Sequence, residues 1–379
     1  MKFYLGFGRS IRILVVCILI FISGGRFSTL FGDGDNFYDF WVVFGDGRHN
    51  SNSDLTLWRG NFWLVHQNSY FHFGTSNSKV FLWTSFDAVN WRKVAEFSIP
   101  GEDIRDPKFA VINGNLFLYV LPNRDLYAEP YTTYFSYSRD GIKWSALREI
   151  EGDAKGWLLW RPKTVDFVNW YVTGYWSGHG KSALFRSKEG IKWELVSVIH
   201  EGDRTDETDF EFLGDHTILA TLRLEKSDSI FGDPAGGTLI AVSKCPYNQW
   251  EKTFSGITRL DGPCLFRWKD KVLALGRRDL RNETPFWYTG SILNKKRTSL
   301  FVVEPDRLNH ILDFPSCGDT SYGGVAVRGD YVYMCFYSSP VNTDPPWIIG
   351  MLGQTNIYLV RFEKEELSAV IGGKLEKTQ

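Results

Sequence analysis

Three tryptophans close three versions of one short phrase: Ser85-Phe86-Asp87-Ala88-Val89-Asn90-Trp91, Ser138-Arg139-Asp140-Gly141-Ile142-Lys143-Trp144 and Ser187-Lys188-Glu189-Gly190-Ile191-Lys192-Trp193. A looser fourth version runs from Ser243 to Trp250. They recur about every fifty residues, and a repeat of that length made only of short strands and turns indicates a β-propeller. The phrase suits a hairpin turn. An acidic side chain accepts backbone amides two residues on, glycine takes a positive φ, and the tryptophan plugs the turn against its blade. These acids are therefore expected to be structural.

Strand-like runs rich in Val, Ile, Phe, Tyr and Trp alternate with Gly, Asn and Asp turns. Phe62–Val65, Leu116–Val120, Trp170–Val172, Ile218–Ala220, Val272–Leu275 and Val332–Phe336 read as equivalent strands. Six such units predict an all-β, six-bladed propeller over residues 41–362, with blades near 41–95, 104–148, 157–197, 207–253, 262–304 and 320–362. Its 15 Trp, 17 Tyr and 29 Phe suit blades that pack face to face. Pro340 to Gln354 reads as a long surface loop, and residues 363–379 as a polar tail.

Charge narrows the partners. With 43 basic and 44 acidic residues and no long run of either sign, nucleic acid and anionic membrane surfaces are not expected. Lys2, Arg9 and Arg12 precede the apolar run Ile13–Ile22 and the small residues Ser23-Gly24-Gly25, so residues 1–25 read as a signal peptide or short hydrophobic anchor. Asn282-Glu283-Thr284 is a glycosylation sequon consistent with export. A secreted or extracytoplasmic monomer is expected. Five scattered cysteines with no Cys-x-x-Cys pair give neither a zinc site nor a dense disulfide framework, and no metal or organic cofactor is implied.

Each blade places a polar cluster just before its apolar run. These are Arg48-His49-Asn50 with Asp54; Asp103 to Lys108, including Arg105 and Asp106; and Trp160-Arg161-Pro162. The others are Asp206-Glu207-Thr208-Asp209 with Arg223; Asp261-Gly262-Pro263 with Arg277-Arg278; and Gly318 to Gly324, including Asp319 and Tyr322. Six clusters at matching positions predict a ring of ionisable groups about a central cavity, and burying such groups needs a reason.

Ser-x-Asp-Gly-x-x-Trp resembles the Asp-box of the sialidase superfamily of six-bladed propellers, and the order of the clusters is similar to that family's too. There an arginine precedes the first strand, a glutamate precedes a second arginine by about one hairpin, a third arginine follows, and a tyrosine comes last. Arg48, Glu207, Arg223, Arg277 or Arg278, and Tyr322 stand in that order. The resemblance implies a glycoside hydrolase acting on a terminal acidic or polar sugar of a glycan. In it, three arginines grip a sugar carboxylate and a tyrosine activated by a glutamate is the nucleophile. Arg105, Arg161 and Asp319 are further candidates for substrate contact. The family's acid/base aspartate has no counterpart in Gln67 to Gly74. His72, Asp54 or Asp106 could supply the proton, or the pocket is inactive on sialosides.

Two alternatives stand beside this. Arg105-Asp106-Pro107 resembles the Arg-Asp-Pro of five-bladed fructan- and arabinan-cleaving propellers, which would give Asp54, Asp106 and Glu207 a three-carboxylate mechanism. A non-catalytic carbohydrate- or protein-binding propeller would keep the arginines and lack the acid.

Overall fold

A computed structural model describes residues 37–280 and 286–373. The apolar N-terminal segment, the sequon at Asn282 and the end of the polar tail lie outside those residues. No helix among the described residues is long and apolar enough to cross a membrane.

Residues in these strands alternate between two packed faces, so each small sheet is buried on both sides and must stack on its neighbours. Six sheets do so. The first holds His49–Trp58, Asn61–Ser69, Lys79–Ser85 and Arg92–Phe97; the second Asp103–Ile112, Asn115–Asn123, Tyr134–Ser138 and Arg148–Glu149. The third runs from Trp157–Leu159 through Trp170–Trp176 and Lys181–Ser187 to Lys192–Glu201, the fourth from Thr205–Phe212 to Glu251–Ser255, and the fifth from Asp261–Trp268 to Arg307–Asp313. The sixth holds Thr320–Arg328, Tyr331–Ser338 and Asn356–Glu363. It is completed by the N-terminal strand Asp39–Phe44, which pairs antiparallel with Asn356–Glu363. The fold is a six-bladed β-propeller closed by joining the two ends of the described chain in one sheet.

Three expectations need correction. Residues 39–44 complete the last blade, so the first begins at His49. The segment after Pro340 is more than a surface loop, because it contains the helix Trp347–Leu352 with Ile348 and Met351 buried. The start of the tail is also ordered. Lys364–Ile371 is a helix with a capping box between Glu363 and Glu366, and it buries Leu367 and Val370 against the last blade. Cys245, Cys264, Cys317 and Cys335 are free thiols.

The tryptophan phrases are turns that touch the preceding blade. Asp140 Oδ1 accepts the amides of Ile142 and Lys143, both at 2.8 Å, and Ser138 Oγ accepts that of Gly141 at 2.8 Å. Gly141 has φ 77°, and a Cβ there would lie 2.4 Å from the Trp63 ring of blade one. Gly190 meets blade two likewise, where the Tyr119 hydroxyl donates to its carbonyl at 2.7 Å. Thr164–Trp170 makes the same set of bonds around Asp166, but between the first two strands of blade three. That fifth turn was missed because Phe167 (φ 56°) stands where the phrase has glycine.

Trp193 is fully buried between blades two and three, whereas Trp91 and Trp144 are half-buried. Trp193→Ala should therefore cost about 3–5 kcal/mol, read as a lower denaturation midpoint, with a smaller loss for Trp91→Ala. A Trp193→Ala midpoint equal to wild type would contradict this role.

Candidate active site

Five of the six inner strands break register at the same place. Two residues face one on the partner strand at Asn52-Ser53, Asp106-Pro107, Asp206-Glu207, Gly262-Pro263 and Tyr322-Gly323. Such bulges re-aim side chains out of the strand's alternation. Asn52, Asp106, Gly262 and Tyr322 all have positive φ, at 51°, 49°, 59° and 46°. For Asp106 and especially Tyr322 this backbone is uncommon and is held only by its surroundings. The prolines at 107 and 263 and the glycines at 262 and 323 are the sequence signals for these bulges.

The bulges bring Glu207 of blade four and Tyr322 of blade six together. The Tyr322 hydroxyl donates to Glu207 Oε1. Glu207 Oε2 accepts the Gly262 amide at 2.7 Å and meets the Arg223 guanidinium at 3.0 Å. Gly262 is required there, since a Cβ would lie 2.6 Å from the Tyr322 ring. Burial, with Asp206, Asp261 and Asp106 nearby, pushes Glu207 up to about 7 against the pull of Arg223. Burial and Glu207 likewise hold the Tyr322 phenol well above its ordinary value. Cations lie close to the ring: Arg277 is 5.5 Å from its centroid and the Lys108 ammonium 5.9 Å. Asp106 is buried near both members of the pair, and its Oδ1 has no hydrogen-bond partner.

Other candidates are employed elsewhere. Arg278 turns outward to Asp313, with its Nε 3.0 Å from Oδ1, so Arg277 is the one that faces the site. Arg48, just before the inner strand of blade one, bonds Asn68 at 3.1 Å and lies over the Tyr70 ring. Arg105 is buried against Asp103, at 2.6 Å, and the His72 carbonyl. His72 places Nδ1 2.7 Å from Asp319, and burial outweighs that partner to lower its basicity. Asp319 is spent on His72, His49, Tyr337, Trp347 and Arg277, and it is a fixed acceptor rather than a substrate ligand. Trp347 brings the helix Trp347–Leu352 over Arg277, with the guanidinium 4.3 Å from its ring. Neither this helix nor Arg259, which grips Asp261 at 2.7 Å beside Arg277, was singled out from the sequence.

Asp54 and Arg161 belong to the frame. Asp54 Oδ2 accepts the Phe109 amide of blade two at 2.7 Å, as Asp209 accepts the Leu265 amide of blade five at 2.8 Å. Arg161, from blade three, contacts Asp54 at 3.3 Å, the Pro263 carbonyl at 2.8 Å, Asp209 at 3.7 Å and the Gly323 carbonyl. It thereby joins blades one, four, five and six on the axis. A cavity of about 340 Å³ lies beyond it along the inner strands and contains none of Tyr322, Glu207 or Asp106.

Among the described residues, two groups place three metal-ligating atoms close together, His49 with His72 and Asp319, and His179 with Asp206 and Glu225. In each, the aspartate already accepts protein donors: Asp206 takes the Arg223 fork on both oxygens, and Asp319 its five neighbours.

No protein-family model and no curated protein matches the sequence. Solved structures do. Trypanosoma rangeli sialidase in complex with sialic acid superposes with a TM-score of 0.61 at 14% identity, covering 92% of this chain and 61% of that one. The phage phi92 endosialidase gives 0.58 at 12%, covering 90% and 71%, and the Hadza microbial sialidase Hz136 gives 0.52 at 11%, covering 83% and 66%. The fold is that of the sialidases. The chain spans only about three fifths of the trypanosomal enzyme's length. At these identities the likeness concerns architecture, and the chemistry must be argued from the site itself.

Three substitutions separate frame from site. Arg161→Met should cost about 3–5 kcal/mol because it strands buried Asp54 and Asp209, measured by denaturant unfolding. Arg278→Ala should leave turnover within twofold of wild type (roughly a surface ion-pair change), whereas Arg277→Ala should abolish it. Equal effects of the two would refute the assignment of Arg277 to the site.

Proposed function

We propose that this protein is a glycoside hydrolase of the sialidase type, exo-acting on a terminal polar sugar. The observation that carries the reading is the hydrogen bond from Tyr322 to Glu207, made across two blades, in a buried site flanked by cations. A buried carboxylate beside a phenol raises the phenol's pKa, and perturbed buried groups of this kind cluster at sites of chemistry.

The roles follow from geometry. Glu207 takes the phenolic proton as the Tyr322 oxygen attacks the anomeric carbon. The bond to the leaving oxygen breaks, and that oxygen takes a proton from Asp106 in its acid form. Arg277 and Lys108 stabilise the charge developing on the phenolic oxygen. Asp106 then removes a proton from water, whose oxygen displaces Tyr322 from the sugar, and the phenol recovers its proton from Glu207. Two displacements retain the anomeric configuration. Asp106 fits the acid role because its Oδ1 is unpartnered beside the pair. Asp54 is committed to the Phe109 amide and Arg161, so nothing favours the three-carboxylate mechanism.

A panel of fluorogenic sialic acid, uronic acid, fucose and arabinofuranose glycosides should show turnover of at least one. Tyr322→Phe should reduce it at least about 100-fold with folding and ligand binding kept. Asp106→Asn should fall less with an activated aryl leaving group than with a sugar leaving group. Binding without turnover across the panel would favour the carbohydrate-binding propeller.

Glu207 must be ionised to accept the proton, so kcat/KM should rise through about pH 7. Its folded pKa lies above the unfolded carboxylate value, so its stabilising contribution is full below about pH 4.5 and lost as pH rises through about 7. Relative to wild type, Glu207→Gln should therefore gain in Tm between pH 5 and pH 8. A pH-independent difference would contradict the raised value.

A further inference from the structure

The arginines beside the catalytic pair are already saturated by the protein's own acids. Asp261 lies among three guanidiniums at once: Arg259 at 2.7 Å, Arg277 at 3.0 Å and Arg223 at 3.8 Å. Arg223 also holds Asp206 through both oxygens and meets Glu207 at 3.0 Å and Glu225 at 3.4 Å. The remaining nitrogen of Arg277 goes to Asp319 and the Thr320 carbonyl, each at 3.4 Å, while its face is covered by Trp347. An arginine recognises a ligand carboxylate through a free fork of two N–H donors. None of these three has one to spare, and the carboxylates they meet outnumber them.

The polar atoms left over point the other way. At the bulges, Asn52 Oδ1 and Asp106 Oδ1 are buried without hydrogen-bond partners. Asn52 Oδ1 accepts, while Asp106 Oδ1 donates in the acid form and accepts once ionised. Both suit the hydroxyl groups of a sugar, which donate and accept.

We propose that the sugar taken by this site is neutral, recognised through its hydroxyl groups, and that Asp261 permanently fills the place among the arginines where an anionic sugar would bind. This rests on the glycoside hydrolase reading of the same site and fixes its substrate class. An acidic sugar entering here would bury a negative charge beside surplus carboxylates and find no free fork on Arg223, Arg259 or Arg277, which is unfavourable. The surplus of acid is also felt by Glu207, whose pKa burial and its acidic neighbours raise. The Asp261 carboxylate itself is driven far below the ordinary range, since Arg259, Arg277 and Arg223 outweigh the effect of burial.

The test compares kcat/KM of the full chain on 4-methylumbelliferyl fucoside and arabinofuranoside with that on the sialoside and glucuronide. The best neutral substrate should exceed both acidic ones by roughly 100-fold or more, because the site's buried groups would be left unpaired or repelled by the wrong sugar. A sialoside or glucuronide within tenfold of the best neutral substrate overturns the proposal. Should no glycoside turn over, the hydrolase reading fails while the specificity is still decided by titrating N-acetylneuraminic acid and its uncharged methyl ester into wild type and Asp261→Asn. Ester binding no weaker than acid in wild type, with acid affinity rising at least tenfold in the folded variant, supports the proposal. Tighter binding of the acid by wild type overturns it, as does a folded variant with no gain in acid affinity. If Asp261→Asn does not fold, Asp261→Ser replaces it in the same comparison.

Discussion

One guanidinium on the axis holds the geometry together. Arg161 rises from blade three and bonds groups in four other blades, two of them carboxylates that also clamp a neighbouring strand. A propeller has little to hold its blades at a fixed distance from the centre except what meets there. Because its planar donors are distributed among four blades, a shift of any one blade costs hydrogen bonds in a dry interior. Closure at the rim, through Asp39–Phe44 on Asn356–Glu363, removes the remaining freedom. Only with both constraints can residues 115 positions apart, Glu207 and Tyr322, share a proton.

The site lies just above that rivet and is electrostatically crowded by the same means. Arginines and histidines hold Asp206, Asp261 and Asp319 ionised, while burial and acidic neighbours leave Glu207 poised near neutrality in contact with a phenol. Such a division, with some carboxylates fixed as anions and one left titratable, is how a buried site separates support from chemistry. The helix Trp347–Leu352 completes it by covering Arg277 and tying Asp319 to the roof.

Much of the fold was legible because its signals are local and repeated. The tryptophan phrases fix a hairpin each, and their spacing fixes the ring. Glu207 and Tyr322, which the structure brings together, were singled out from their order along the chain. What escaped depends on direction. Arg277 and Arg278 are adjacent, and only the strand's alternation sends one inward and the other to Asp313. Arg161 read as a substrate ligand and Asp54 as a catalytic carboxylate because a sequence shows charge without showing what neutralises it. The closing strand was assigned to blade one for a similar reason: its partner lies more than three hundred residues away in the chain.

The repeated bulge has a consequence for how such a ring changes its chemistry. Each bulge absorbs its extra residue between ladder pairs that stay in register, so the side chain at its tip can be exchanged without disturbing the frame. Around this axis the bulges are five mountings, presently holding Asn52, Asp106, Glu207, Gly262 and Tyr322. Gly262 is closed to exchange by the Tyr322 ring above it. Asn52 is open, since its left-handed backbone accepts asparagine or aspartate alike. A second acid could be installed there by one nucleotide change, which makes that position the shortest route to a different set of acids around the axis.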